Sequence, residues 1–540
     1  MKARSLVWIR RISQFLFLLF FLYLLIESRL SQDVYLDYSV TVSSGTELRL
    51  DAPVTFFFEL DPLVVVSSLL AGSVLIKGFL WAVVVLVFTI FLGRVFCGFI
   101  CPFGTIHHFI GWLKPTLKGK PMVQANQKRP SQRIKYFVLV AALMGAMAGS
   151  NMAGLMDPIS FLFRSIALAV IPGLGVGVRS FFDWLAASDI KLFNLISYSA
   201  EIVLSPIFGY EHKAFQAAWF IGFLFLVILF MNRIQPRFWC RTLCPLGAML
   251  AVFSRFSILK LVKYDERCTK CLLCDMNCQG ASAPRPGQAW ETAECLVCFN
   301  CFHVCPEGAL DFKIRLSPRL NKSPDIGRRA LLGGLLAGVS LPFLGRLNGQ
   351  VHKVSSPLLI RPPGSLEEIK FLERCQRCGL CMKVCPTNAI NPTLGEAGME
   401  GFWTPRLIMT QGYCEYTCTL CGSVCPTGAI REITVKEKIQ GPIKIGSAYL
   451  DRGRCLPWSG NAPCIVCEEH CPTSPKAIYL KDDIVIRPDG GPMKVQLPYV
   501  DLKRCVGCGI CEYKCPVRGL PAIRTIAAGE SRSLRNQILL

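Results

Sequence analysis

The chain is 540 residues long, enough for two to four domains, and 52% of it is hydrophobic, which is high for a soluble protein and points to membrane spans. Its formal charge of +22 would suit a nucleic-acid binder, but the bases gather beside apolar runs in the positive-inside pattern, so nucleic acid is set aside. All 28 cysteines fall into ligand-like spacings, six quartets and two pairs, which sets a disulfide framework aside too.

Lys2, Arg4, Arg10 and Arg11 precede an apolar run from about Ile12 to Ile26. Glu27-Ser28-Arg29 offers no small-residue cleavage site, so this run reads as an uncleaved anchor with a cytoplasmic N-terminus. Residues 28–62 carry six acids and two bases, as an external loop does. A second span is predicted from Gly78 to Leu92, returning to Arg94. Residues 63–76 are too short to cross roughly 30 Å of hydrocarbon alone. They read as a re-entrant or interfacial piece, or as an outer extension of the second span. The loop from Lys114 to Lys135 has seven bases and no acid, which places it in the cytoplasm. A third span is expected from about Tyr136 to Leu155, then a mostly neutral external segment, then a fourth span from about Ala217 to Met231. Arg233, Arg237 and Arg241 bring the chain back inside.

This half repeats itself. Asp61-Pro62-Leu63 leads to Arg94-Val95-Phe96-Cys97-x3-Cys101-Pro102-Phe103-Gly104, and Asp157-Pro158-Ile159 leads to Arg237-Phe238-Trp239-Cys240-x3-Cys244-Pro245-Leu246-Gly247. If each pair is helical, the i,i+4 spacing puts both sulfurs on one face. Four thiols brought together by pseudo-symmetry can bind a metal or cluster, or cycle as dithiols; the plainer reading is inert interfacial cysteines. No predicted span holds a histidine, which argues against a membrane cytochrome b. His107 and His108 follow the first thiol pair, where a quinone headgroup can lie, although such residues are more often simply interfacial.

The next stretch reads Cys268-x2-Cys271-x2-Cys274-x3-Cys278, then Cys295-x2-Cys298-x2-Cys301-x3-Cys305-Pro306. Three closely spaced thiolates grip three irons of a cubane, and the fourth, before a proline, ligates the other cluster of a pair. Cys268, Cys271, Cys274 and Cys305 are therefore expected on one 4Fe-4S cluster, and Cys295, Cys298, Cys301 and Cys278 on its neighbour. Gln279 stands where the first proline would be.

A basic stretch with Lys313, Arg315, Arg319 and Lys322 then leads to Ser323-Pro324-Asp325-Ile326-Gly327-Arg328-Arg329-Ala330 and an apolar segment to about Leu344. Twin arginines before such a helix read as an export signal or as an ordinary fifth span, and both put the tail outside; a buried soluble helix would keep it inside. Four more quartets follow: Cys375, Cys378, Cys381, Cys385; Cys414, Cys418, Cys421, Cys425; Cys455, Cys464, Cys467, Cys471; and Cys505, Cys508, Cys511, Cys515. Zinc needs only isolated C-x2-C pairs and gives no reason for the C-x3-C-P ending. Pairing stays open between first-with-fourth plus second-with-third and sequential neighbours. The tail offers no catalytic carboxylate pair, activated nucleophile or nucleotide loop, so its task is moving single electrons.

On these motifs residues 1–320 resemble NapH, the membrane ferredoxin component of periplasmic nitrate reduction, and residues 321–540 resemble NapG and its MauM relatives. The resemblance implies a natural fusion carrying electrons from quinol to a periplasmic acceptor such as a nitrate reductase or a cytochrome c. The membrane half also resembles the NosR and CcoG groups, but NosR would bring an N-terminal flavin domain, for which residues 28–62 are too short.

The expected fold is a membrane α-helical bundle of about four spans plus a fifth linking helix, with α+β ferredoxin-like domains. Residues 1–262 would form the membrane domain, 263–320 a cytoplasmic double ferredoxin, 321–346 the linking helix, and 347–540 a periplasmic four-cluster domain. The expected function is electron transfer in a bacterial inner membrane from the quinone pool through six 4Fe-4S clusters. The alternative is a maturation factor in which Cys97, Cys101, Cys240 and Cys244 reduce metals or cysteines of a client enzyme.

Overall fold

The structure is a computed structural model that describes residues 3–29, 48–73, 75–113, 119–187, 191–208, 213–284, 290–315, 326–347, 356–440, 443–488, 490–533 and 536. Most of the acidic loop, Lys114, His212, His352 and the stretch from Arg319 to Asp325 lie outside these residues. The chain divides into two units: residues 1–26, 54–166 and 219–343, and residues 27–53, 167–218 and 344–540.

In the first unit, Asp61 and Asp157 each cap a helix that begins with proline, a residue preset for the first helical position. Asp61 Oδ1 accepts from the Leu63 amide at 2.8 Å to start Pro62–Gly72, and Asp157 Oδ2 accepts from the Ser160 amide at 2.7 Å to start Pro158–Ser165. The core between the repeats is aromatic: Phe161 stacks on Trp239 at 4.9 Å, and Phe103 lies 5.5 Å from Trp239. Helix Arg328–Leu347 packs on Ile134–Met147 through small residues. A Cβ on Gly334 would sit 3.1 Å from the Phe137 carbonyl, and one on Gly338 only 2.6 Å from Ala141 O and Met144 Cβ. Strands β1 (Leu259–Lys263) and β2 (Leu310–Ile314) pair antiparallel and bracket the first two quartets.

The second unit contains the helical hairpin Ile171–Ala186 and Lys191–Phe208, in which Ser197 Oγ donates to the Phe182 carbonyl at 3.1 Å. It also holds two ferredoxin-like modules. In the first, β3 (Ile390–Pro392) pairs with β4 (Pro405–Leu407), and Ser365 bridges to Ile430. In the second, β5 (Ser447–Leu450) pairs with β8 (Ile523–Ile526), and β6 (Ile478–Ile486) with β7 (Pro492–Val500). Backbone before each module's first quartet thus pairs with backbone after its second, by the Ser365–Ile430 bridge in one and by β5 with β8 in the other, which ties the module end to end.

Helix length and extent bear on two expectations. Arg4–Glu27 and Pro158–Ala186 are the helices long and apolar enough to cross a membrane among the described residues. The helices at the other expected spans, Phe79–Leu92, Ile134–Met147 and Ala218–Phe230, have 14, 14 and 13 residues. At 1.5 Å per residue each rises about 20 Å against ~30 Å of hydrocarbon, so helix length alone does not establish these three as spans. The segment read as a neutral external stretch is largely helical: Pro158–Ser165 continues through π-helical Ile166–Val170 into Ile171–Ala186. Arg164 does not interrupt it, because its guanidinium donates to the Gly154 and Leu155 carbonyls at 3.1 and 2.5 Å.

Candidate iron-sulfur and thiol sites

Each quartet wraps its sulfurs in the same way. The third cysteine rides on a short helix: Leu273–Met276, Asn300–Val304, Leu380–Val384, Leu420–Ser423, Val466–Glu469 or Ile510–Lys514. In four of the six a left-handed residue just before that helix reverses the chain, Leu272, Phe299, Gly379 or Gly509. Gly509 is required there, since its φ is +78° and a Cβ would strike the Met409 side chain.

The sulfurs line cavities rather than meeting at a point. One cavity is lined by Cys268, Cys271, Cys274 and Cys305, and another by Cys278, Cys295, Cys298 and Cys301. A third is lined by Cys375, Cys378, Cys381 and Cys425. In each, three sulfurs come from one quartet and the fourth from the other. Among the described residues no three His, Cys, Asp or Glu side chains converge on a single bare ion. That spacing disfavours zinc, whose sulfurs sit about 2.3 Å from one metal, and fits a multi-iron cubane.

The same crossing extends through the tail. Cys385 lies within electrostatic range of Cys414, Cys418 and Cys421, Cys515 of Cys455, and Cys471 of Cys505, Cys508 and Cys511. The quartets therefore pair as sequential neighbours. The two modules also touch: the Cys414 amide donates to the Cys508 carbonyl at 2.8 Å, and the Tyr413 and Tyr513 rings are 5.4 Å apart. Read along these contacts, the sets run Cys375-type, Cys414-type, Cys505-type, Cys455-type.

The donor chemistry suits iron. Burial pushes the free thiols of Cys295, Cys418, Cys467 and Cys508 up to about 12. Bare thiolates are disfavoured there, and the cations of a cluster stabilise them. Amide groups already point at sulfur: Ser282 N lies 3.2 Å from Cys278 Sγ, Ala309 N 3.3 Å from Cys305 Sγ, and Ala448 N 3.4 Å from Cys505 Sγ. When bound, such clusters supply one-electron exchange.

Outside the ferredoxin quartets, Cys97, Cys101, Cys240 and Cys244 are all buried and within electrostatic range of one another. They do not sit on continuous α-helices. Cys97 and Cys240 lie in π-helical turns, Phe96–Ile100 and Trp239–Leu243, while Cys101 and Cys244 are extended, at φ/ψ −60/115 and −66/108. The reason is local: proline disfavours α geometry in the residue before it, so each second cysteine precedes a new helix. Cys244 Sγ accepts from the Gly247 amide at 3.1 Å. Two arginines that sequence reasoning quoted only as flanks complete the site. Arg94 Nη2 lies 4.0 Å from Cys97 Sγ, and Arg237 Nη1 donates to the Cys97 carbonyl at 3.3 Å. Their signal was the place they share, three residues before each first cysteine.

This thiol group adjoins the first ferredoxin module. Arg94 Nη1 donates to the Ala293 carbonyl at 3.1 Å and lies 3.8 Å from Glu294, which also pairs with Lys135 and accepts from Tyr136 Oη at 3.0 Å. Cys295 follows directly. His107 is fully buried, with Nδ1 2.9 Å from Asn232 Oδ1 and Nε2 without a partner among the described residues; His108 Nδ1 lies 3.1 Å from Gln14 Oε1.

Comparison with known proteins agrees with this chemistry. A family profile described as a 4Fe-4S binding domain matches residues 75–121, 215–263 and 421–445. One described as a 4Fe-4S dicluster domain matches 374–429, and a further 4Fe-4S binding domain matches 498–520. The methylamine utilization ferredoxin-type protein MauM of Methylorubrum extorquens is 34% identical over 219 residues, 38% of this chain and 90% of MauM. The chain belongs to the MauM/NapG family of ferredoxin-type proteins. The ferredoxin-type protein NapG of Escherichia coli is 35% identical over 214 residues, 38% of this chain and 87% of NapG. The putative electron transport protein YccM of the same organism is 26% identical over 283 residues, 52% of this chain and 68% of YccM. No solved structure matches. As in this family, the protein is a ferredoxin-type electron-transfer protein that holds several 4Fe-4S clusters.

Proposed function

We propose that this chain is a fused, membrane-anchored relay that draws electrons from quinol and delivers them through six 4Fe-4S clusters to a periplasmic reductase or cytochrome of the nitrate-reductase type. The observation that carries the proposal is the crossed sharing of cysteines. It turns six quartets into three paired sites, two of which are joined by the Cys414–Cys508 hydrogen bond. Residues 1–262 are the membrane domain, 263–320 a cytoplasmic ferredoxin, 321–346 the linking helix and 347–540 the periplasmic domain. The 24 quartet cysteines are the iron ligands.

Two features of the structure support a periplasmic tail. Residues just before helix Ala218–Phe230 hold the tail within one unit: Lys213 Nζ donates to the Cys385 carbonyl at 2.7 Å, and Arg406 Nη2 to Gln216 Oε1 at 2.8 Å. Arg233, Arg237 and Arg241 follow the other end of that helix in the positive-inside pattern of a cytoplasmic side, and in this reading the helix crosses together with its flanking residues. The Gly334-x3-Gly338 contact on Ile134–Met147 is the small-residue packing of membrane helices, which favours a retained span over a cleaved leader. Quinol binds near His107 and His108 in this reading.

Iron and sulfide analysis with EPR tests the relay: about 24 irons per chain are expected, and about 8 would refute the six-cluster count. Alkaline phosphatase fused after residue 350 should be active. The buried thiol group favours one second reading, a maturation factor. Cys97→Ser and Cys240→Ser separate the two, since cluster reduction by quinol that persists while a client enzyme fails to mature supports maturation.

A further inference from the structure

In the tail, Lys438 is carried by the helix Val435–Gln440, whose start is fixed by a reciprocal pair: Thr434 N donates to Glu437 Oε2 at 2.8 Å, and Glu437 N to Thr434 Oγ1 at 3.1 Å. The lysine is 7% exposed, although lysine is almost never buried without a partner. Its Nζ lies 3.4 Å from Cys414 Sγ, 2.5 Å from the Glu415 carbonyl and 2.7 Å from the Cys418 carbonyl. All three ammonium donors are thereby directed at the loop that carries Cys414 and Cys418, with one of them on a sulfur.

Other tail sulfurs also have cations in electrostatic range, Arg377 and Arg361 near Cys375 and Lys444 near Cys505, but the side-chain hydrogen bonds described for these run to oxygen. Arg377 donates to the Phe402 and Glu400 carbonyls at 3.0 and 2.7 Å, Arg361 to Thr404 and Glu368, and Lys444 to the Leu502 carbonyl. A cluster gains negative charge on reduction, so a buried positive charge touching its thiolate favours the reduced state and raises the potential.

We propose that Lys438 is a positioning residue that makes the cluster on Cys414, Cys418, Cys421 and Cys385 the highest-potential member of the tail relay, its electron collector. The assignment rests on the six-cluster reading above. It also suits the place of this set. Cys385 is the residue whose carbonyl Lys213 contacts, and Cys414 is the residue joined to Cys508, so the set stands between the segment ahead of helix Ala218–Phe230 and the second module. One electron leaves a reduced neighbouring cluster and enters this one; the neighbour is oxidised in exchange, no bond breaks and no proton moves.

The test is an EPR-monitored redox titration of the full-length protein, purified without oxygen, alongside Lys438→Met and Lys438→Arg. The signal is assigned to this set by its loss in Cys418→Ser. Lys438→Met keeps the stem and removes the charge, and it is expected to lower this midpoint alone by at least tenfold in the reduction equilibrium, about 59 mV for one electron. Lys438→Arg should restore it. An unchanged midpoint with full iron content overturns the inference, as does an equal fall in all four tail signals. Should Lys438→Met lose the cluster, Lys438→Gln, which keeps a donor without charge, is titrated against the same two outcomes. A wild-type protein lacking the four tail signals defeats the relay reading instead, so the two failures are distinct.

Discussion

Arg237 reaches across the internal repeat and donates from Nη1 to the carbonyl of Cys97, 3.3 Å away. The reciprocal arm is Arg94, whose Nη2 would lie 2.8 Å from a Cβ placed on Gly247 and 4.0 Å from Cys97 Sγ. Each arginine of one half thus lies against a glycine of the other: Arg94 takes the space a Cβ on Gly247 would need, and Arg237 Nη1 would lie in ordinary contact, 3.6 Å, with one on Gly104. Both guanidinium groups are 1% exposed beside four thiols, and buried cations of this kind favour thiolates or an anionic metal centre.

Gly247→Ala should therefore push Arg94 off its seat. Overpacking of this kind costs about 1–3 kcal/mol, so the expected result is a lower melting temperature with faster thiol labelling of Cys97 and Cys244. A variant with unchanged melting and labelling would show that the glycine is not needed for the arginine's place.

Gly98 meets the backbone of the first ferredoxin module. A Cβ there would overlap the Leu296 carbonyl, which cannot swing aside as a side chain can. Gly98→Ala is expected to destabilise the module by about 1–3 kcal/mol and to lose iron selectively from the Cys278/Cys295/Cys298/Cys301 site. Iron analysis and EPR of the variant check this; full iron with an unaltered spectrum argues against close docking.

The crossed cysteines make a pairwise prediction. Cys425→Ala should abolish the same EPR signal as Cys381→Ala, and Cys385→Ala the same signal as Cys421→Ala. If Cys425→Ala and Cys421→Ala instead share one lost signal, each quartet holds its own cluster and the crossing is wrong.

Glu368 links acid stability to the first tail module. Burial alone would raise its carboxyl, but Arg361 and Arg532, the latter at 2.8 Å, override that and hold it at about 2 against an ordinary 4.5. A depressed carboxyl contributes stability above its unfolded value and loses it as pH falls towards the folded one. The contribution is on the order of 2–3 kcal/mol. Wild type should therefore melt well above Glu368→Gln at pH 6, and the gap should narrow between pH 4.5 and pH 2. A gap independent of pH would mean that the ion pairs contribute little.

The 28 cysteines settled most of the chemistry before any coordinates, because metal ligation depends on spacing along the chain and spacing is written directly in the sequence. C-x2-C-x2-C-x3-C announces a cluster-binding loop whatever surrounds it. The Asp-Pro and C-x3-C-P repeats likewise declared an internal symmetry, and the capped, proline-led helices follow from those residues. Which quartet shares its fourth sulfur with which was decided only by the Ser365–Ile430 bridge and the pairing of β5 with β8, contacts between residues far apart in sequence. That the helix from Pro158 runs on past Arg164 to Ala186 was not legible, because only folding supplied the Gly154 and Leu155 carbonyls that absorb its charge. Lys438 gave no signal at all. It lies 13 residues beyond Cys425 in an unremarkable polar helix, and its contact with Cys414 exists only once the chain has turned back on itself. Local spacing encodes what the chain can bind; the field around each bound group comes from long-range packing, which no linear pattern records.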